Sequence, residues 1–277
     1  MANHTTTTDA VMIAEVWTKE IEKPFYNALY AKDLVKRRDS LVADGGDTIH
    51  VPFLSTYNAR TKAAGTQVTF DANTETEITI SINKHKYLAM LIEDIVKVQA
   101  NYNLQSEFRG AMAEAVARSV DSDLLGLHAS AGTNVSGGAT IDDADILSVV
   151  SALDAANVPQ DERAGIVGYK TMNDLRGVNK YVAYDQTGKT GLAASNKAII
   201  SSVYNMDLYM SNNVVDDTTN THNLFFHKSG LSLAVQKKPT YEMEYSVSDV
   251  GWKVLLHTIY GVAVERANAV VDLERNS

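Results

Sequence analysis

The stretch "TETEITISINKHKYLAMLIED", Thr74–Asp94, decides how the fold is read. Its first half alternates, with Ile78, Ile80 and Ile82 on one side and Glu77, Thr79, Ser81 and Asn83 on the other. That period of two is the mark of a half-buried β-strand. Its second half is an apolar run that leads into a helical pattern. Upstream, from Thr48, the same period holds: Ile49, Val51 and Phe53 face one way, and Thr48, His50 and Pro52 the other. Pro52 has no N–H for a ladder hydrogen bond and belongs on an edge strand. Beyond "YNARTKAAGTQ" the alternation resumes at Val68 and Phe70. Residues 47–90 therefore read as one extended, half-polar β ribbon, whose arms of about 20 residues reach up to ~65 Å. A two-stranded ribbon is marginal in water, so it needs a surface to lie on, either its own body or a neighbouring copy.

Outside the ribbon the texture is mixed. From Ala10 to about Leu41 the apolar spacing is helical, broken at Pro24, and "VKRRDS" at 35–40 forms a basic patch. Ile95, Val98, Tyr102, Phe108, Met112, Val116, Val120, Leu124 and Leu127 mark one stripe at helical spacing. Some 35 residues there would form a rod ~50 Å long. "SAGTNVSGGAT" at 130–140 reads as a domain boundary. A capped helix follows in "DDADILSVVSALDAANVP", then a short buried strand in "AGIVGY", a short helix in "TMNDLRGV" and a loop in "YVAYDQTGKTGLAAS". "NLFFH" and "LSLAVQ" are strands, and further alternation runs from Pro239 onward. The class is α+β, without a regular βαβ repeat.

Composition narrows the function. The 277 residues carry a net charge of −9, against the clustered positive field that tight nucleic-acid binding needs. The chain has no cysteine, which removes disulfides, iron–sulfur clusters and thiolate chemistry. The N-terminus shows no secretory signal, and no apolar run approaches the roughly 20 residues of a membrane span. "TGKTG" at 187–191 fails as a phosphate loop, because Ala183 stands where the first glycine is required. Asp142, Asp143 and Asp145 are better explained by helix capping than by calcium. Asp121 and Asp123, two apart on the long helix, read as solvated or paired with a basic neighbour. None of the seven histidines forms a close pair on a helical face, and His222 and His227 point to opposite sides of a strand. No catalytic, cofactor or metal site is expected.

Arg60, Lys62, Lys84, His85 and Lys86 place positive charge along the ribbon. They can protect an edge against aggregation or dock on an acidic face of another copy. With the Ile78, Ile80 and Ile82 face, Arg60, Lys62, Lys84 and Lys86 are the candidate contacts between subunits.

The order of parts carries a resemblance. "GGDTIHVP" (45–52) opens the ribbon, "IEDIVKVQANYNLQSEFRGAMAEAVARSVDSDLL" (92–125) follows it, and "YGVAVERANAVVDLE" (260–274) comes near the end. The chain resembles, over about residues 25–277, a major capsid protein of a tailed bacteriophage with the Hong Kong 97-type (HK97-like) capsid fold. The resemblance implies an N-terminal arm over 1–44 and an extended β loop over 45–92. It implies a peripheral domain with a spine helix over 93–137 and 235–277, and an axial domain over 138–234. Asp185, Gly188, Lys189 and Thr190 fall in the candidate axial loop. It also implies hexamers and pentamers in an icosahedral head shell, a separate scaffolding protein, a portal and a decoration protein. Contact with packaged DNA would be weak and non-specific, in a virion assembled in the host cytoplasm. The competing readings are an encapsulin-like compartment subunit with the same fold and an α+β enzyme with a spatially assembled site.

Overall fold

The computed structural model describes residues 29–43, 45–54, 57, 59–68, 70, 75–94, 104–182 and 199–276. The helical pattern over 10–28, the start of the long stripe at Ile95, Val98 and Tyr102, and the candidate axial loop Asp185, Gly188, Lys189 and Thr190 lie outside them. In chain order the elements are α1 (Ala31–Leu34), β1 (Lys36–Arg37), β2 (Thr48–Leu54), β3 (Glu75–Ser81), β4 (Lys84–Glu93), α2 (Leu104–Leu125), β5 (Thr133–Ser136) and α3 (Asp143–Ala155). They continue as β6 (Arg163–Val167), α4 (Tyr169–Gly177), α5 (Asn179–Val182), β7 (Ile199–Val203), β8 (Met206–Met210), β9 (Asn220–His227), β10 (Leu231–Ser246), β11 (Gly251–Val264) and β12 (Val270–Asn276).

Three sheets organise the chain, in strand orders β1-β10-β11-β4, β5-β12-β9-β6-β8-β7 and β2-β3. In the first, β10 and β11 form a long antiparallel hairpin, and β4 pairs along β11 from Glu93 opposite Gly251 to Lys84 opposite Tyr260. Helix α2, about 33 Å over its 22 residues, packs on this sheet. Met112 and Val116 meet Ile92, Val254 and Leu256, the stripe read from the sequence.

The second sheet is the compact body. All five residues of β6 are buried, and α3 lays Ile146, Val149 and Leu153 against Leu208, Phe225 and Leu273. The acidic trio acts at the start of α3 as capping predicts. The Asp142 side chain accepts from the Ala144 and Asp145 amides, and the Asp145 carboxylate accepts from the Asp142 amide. A third cluster joins the two bodies, with Leu124 and Leu125 of α2 against Phe226, Leu231, Tyr260 and Val270.

The structure departs from the sequence-based expectations at several points. The helix expected to reach Leu41 ends at Leu34. Val35 turns extended, and Lys36 and Arg37 pair in parallel with Ser232 and Leu233. The segment at 130–140 is no mere boundary, since β5 pairs with β12. Strand β12 also belongs to the compact sheet rather than to the β10–β11 sheet. The ribbon is shorter than expected: β2 and β3 pair over Thr48–Leu54 and Glu75–Ser81, whereas Lys84–Glu93 leaves the ribbon for the four-stranded sheet. Its apolar residues explain the departure. Leu88, Met90 and Ile92 pack toward α2, while Tyr87 and Leu91 on the other face are exposed.

Candidate assembly surfaces

The hairpin has an anchored root and a bare end. Ile49 faces Ile80 across the ladder and Val51 faces Ile78. At the root, Ile80 is fully buried against Val42, Ile49 and Ala234 of the same chain, with Ile82 half-buried beside them. Gly261 makes this possible: a Cβ there would stand 2.4 Å from the Ser81 carbonyl oxygen. Ile80 is therefore corrected from a candidate subunit contact to a core residue, because its apolar face is completed by its own β10 and β11. Ile78, one pair further out, is half-buried.

Toward the tip the cover ends. The Arg266 guanidinium lies 5.3 Å from the Phe53 ring centre. A cleft of about 380 Å³ opens there between Phe53 and Leu54, the turn at Asn157–Pro159 and Ala267–Ala269. From Leu54 onward, exposures are 76% at Leu54, 61% at Tyr57, 60% at Val68 and 91% at Phe70. Exposed large apolar side chains gathered on one element are the kind of feature that a contact surface presents. Arg60 and Lys62 sit exposed among them.

Lys84 and Lys86 are placed differently from Arg60 and Lys62. Being on β4, they stand 3.4 Å and 3.3 Å from the two oxygens of Asp123 on α2. Tyr260 donates to the same carboxylate at 2.6 Å. Burial pushes the Asp123 carboxyl up, but the Tyr260 hydroxyl and the two lysines outweigh it and hold the group below its usual range. Burial and this carboxylate together push the Tyr260 phenol well above its ordinary value. The expected pairing of Asp123 with a basic neighbour holds, and it gives both lysines a partner within the chain.

Asp121 departs from its reading. It is buried, accepting the Ala31 amide at 2.9 Å and an Asn213 side-chain N–H at 3.2 Å, and burial raises its pKa. It thus fastens α1 to the long helix and to the loop after β8. The basic patch at 35–40 is likewise internal in part. Arg38 donates twice to Glu265, at 2.8 Å and 3.0 Å, and Glu265 is 1% exposed.

One constellation had no signal in the sequence. His128, just past α2, His222 on β9 and Asp272 on β12 converge. The imidazoles stack with ring centres 3.9 Å apart. Burial opposes charge on His222, yet its contacts with Asp272 and Asp217 raise its pKa. Burial raises that of Asp272 against the pull of the imidazoles.

The hairpin is thus anchored at its root on its own chain and carries exposed apolar side chains toward its tip. No family model and no curated protein matches the sequence, but solved structures match the fold over nearly all of it. A chain from Mycobacterium phage Che8 is 26% identical with a TM-score of 0.82, covering 94% of this chain and 96% of that one. The capsid of the cyanophage P-SCSP1u is 17% identical with a TM-score of 0.80, covering 99% and 96%. The capsid of a native GTA particle is 12% identical with a TM-score of 0.70, covering the whole of both chains. The resemblance read from the sequence is borne out: the chain has the fold of a phage major capsid protein.

Proposed function

We propose that this chain is the major capsid protein of a tailed phage and builds the head shell enclosing the genome. The carrying observation is the divided hairpin, packed at its root and exposing Leu54, Tyr57, Val68 and Phe70 toward its tip. Covering four such side chains on a neighbour is worth roughly 6–12 kcal/mol per contact before the cost of association is subtracted. Head-to-tail contacts of this kind close into rings, and many modest contacts per subunit sum to a stable shell.

In the Hong Kong 97-type reading, residues 45–83 are the extended loop and α2 belongs to the spine helix. The β4–β10–β11 sheet belongs to the peripheral domain, and the six-stranded sheet forms the axial domain. The loop boundary moves in from 92 because β4 pairs with β11. Arg60 and Lys62 remain the charged candidates for contact with a neighbour. Lys84 and Lys86 act first within the subunit. Hexamers and pentamers assemble in the host cytoplasm with a separate scaffolding protein, a portal and a decoration protein. Contact with the packaged DNA is weak, in keeping with a net charge of −9.

Negative-stain microscopy of the purified full chain tests the reading. Shells, hexamers or pentamers are expected; a stable monomer at every concentration and salt condition tried contradicts it.

A further inference from the structure

His128, His222 and Asp272 are brought together from positions 94 and 50 residues apart. The Nδ1 atoms of His128 and His222 lie 3.3 Å and 2.7 Å from the same oxygen, Asp272 Oδ2. The ligand atoms of all three fall within 4.8 Å of one another. The Asp272 side chain is 1% exposed, and its Oδ1 accepts no hydrogen bond among the described residues. A buried carboxylate oxygen left in that state is costly unless something of positive charge addresses it. Two more carboxylates stand close by. Asp217 Oδ2 is 3.4 Å from His222 Nε2. Glu274, two residues along β12, is held by Asn134 at 3.3 Å and Asn220 at 3.1 Å.

We propose that His128, His222 and Asp272 bind one divalent first-row transition cation, with zinc the best match to the donors. Two imidazoles and one carboxylate suit zinc and its neighbours, whereas calcium and magnesium take oxygen ligands. The ligand atoms are close enough for one ion, provided the rings turn. Ligands at about 2.0–2.2 Å in a tetrahedron stand about 3.3 Å apart, which is the His128–Asp272 separation, and binding swings the imidazoles out of their 3.9 Å stack so that both Nδ1 lone pairs meet at the ion. The His222–Asp272 distance of 2.7 Å opens by about 0.6 Å on binding. Asp217 supplies the outer partner: accepting from His222 Nε2–H, it leaves Nδ1 with a lone pair for the metal, as carboxylate–imidazole–zinc arrangements do. Water takes the fourth position. The ion fastens the end of the long helix to two adjacent strands of the compact sheet, where His222 and Glu274 are ladder partners.

The experiment uses the full chain, stripped with chelator and titrated with zinc chloride by calorimetry. One ion per chain is expected, with a rise in Tm of about 5 °C at saturating zinc. His128→Ala with His222→Ala abolishes both effects, and Asp217→Asn weakens binding about tenfold. A second histidine–histidine contact among the described residues, His85 with His257 at 3.2 Å, provides the control: His85→Ala with His257→Ala leaves zinc binding unchanged. Binding that survives loss of His128 and His222, or that vanishes only with the control pair, overturns the proposal. Should the first double variant fail to fold, X-ray absorption on the zinc-loaded wild-type chain decides. Two imidazole ligands support the site and none overturns it.

Discussion

Deletion of residues 57–70 leaves the subunit folded and abolishes assembly. Six residues then remain between Leu54 and Glu75, which face each other across the ladder; a loop of that length closes a hairpin without strain. The deleted residues include Tyr57, Val68 and Phe70, all more than half exposed, so removing them costs the isolated subunit little. Its stability rests on the buried root, where Ile49 and Ile80 meet Val42 and Ala234. The neighbour, by contrast, loses the apolar surface on which its grip depends. The expected result is a Tm within about 2 °C of wild type and no particles by sizing chromatography or negative stain. Normal particles from the deleted chain would show that the tip is dispensable, and an unfolded subunit would show that it is part of the core.

Arg38→Ala has the opposite profile, damaging the subunit itself. Its guanidinium meets both oxygens of Glu265, a carboxylate 1% exposed. Lys36, at 3.7 Å, is a poor replacement. Breaking a wholly buried ion pair costs about 3–5 kcal/mol because a charge is stranded. Arg38 keeps 21% of its side chain exposed, so water relieves some of that, and about 2–3 kcal/mol is expected. The arm's other ties are kept, since the main-chain amide at position 38 still donates to Leu233 and Asp39 still accepts the Val235 amide. Urea unfolding of the subunit measures it. A companion variant, Arg38→Ala with Glu265→Leu, removes the stranded charge and regains most of the loss. A single variant that unfolds at the wild-type midpoint would contradict the internal role assigned to Arg38.

Much of this fold was legible because local periodicity carries it. Ile78, Ile80 and Ile82 announced a strand with one apolar face; Met112, Val116 and Leu124 announced a helix lying on a sheet; Asp142 announced the start of another helix. Periodicity says which face is apolar but not what covers it. The pairing of Lys84–Glu93 with Gly251–Tyr260 spans more than 150 residues, and neither strand names its partner. For the same reason Ile80 looked available to a neighbour although Ala234 and Gly261, small residues remote in sequence, make room for it at home. Lys84 and Lys86 looked like edge charges because Asp123 lies on another element. The His128–His222–Asp272 cluster is the extreme case, since each member is a lone residue in its own segment and three-dimensional packing alone unites them.

The central claim is that a second copy of this chain covers the hairpin tip. With no native cysteine in the chain, Val68→Cys installs a single thiol at a position 60% exposed in the subunit. Its rate of modification by a maleimide, compared between unassembled subunits and purified particles, tests the claim most directly. At least a tenfold slowing on assembly is the predicted result; equal rates in subunit and particle would contradict it.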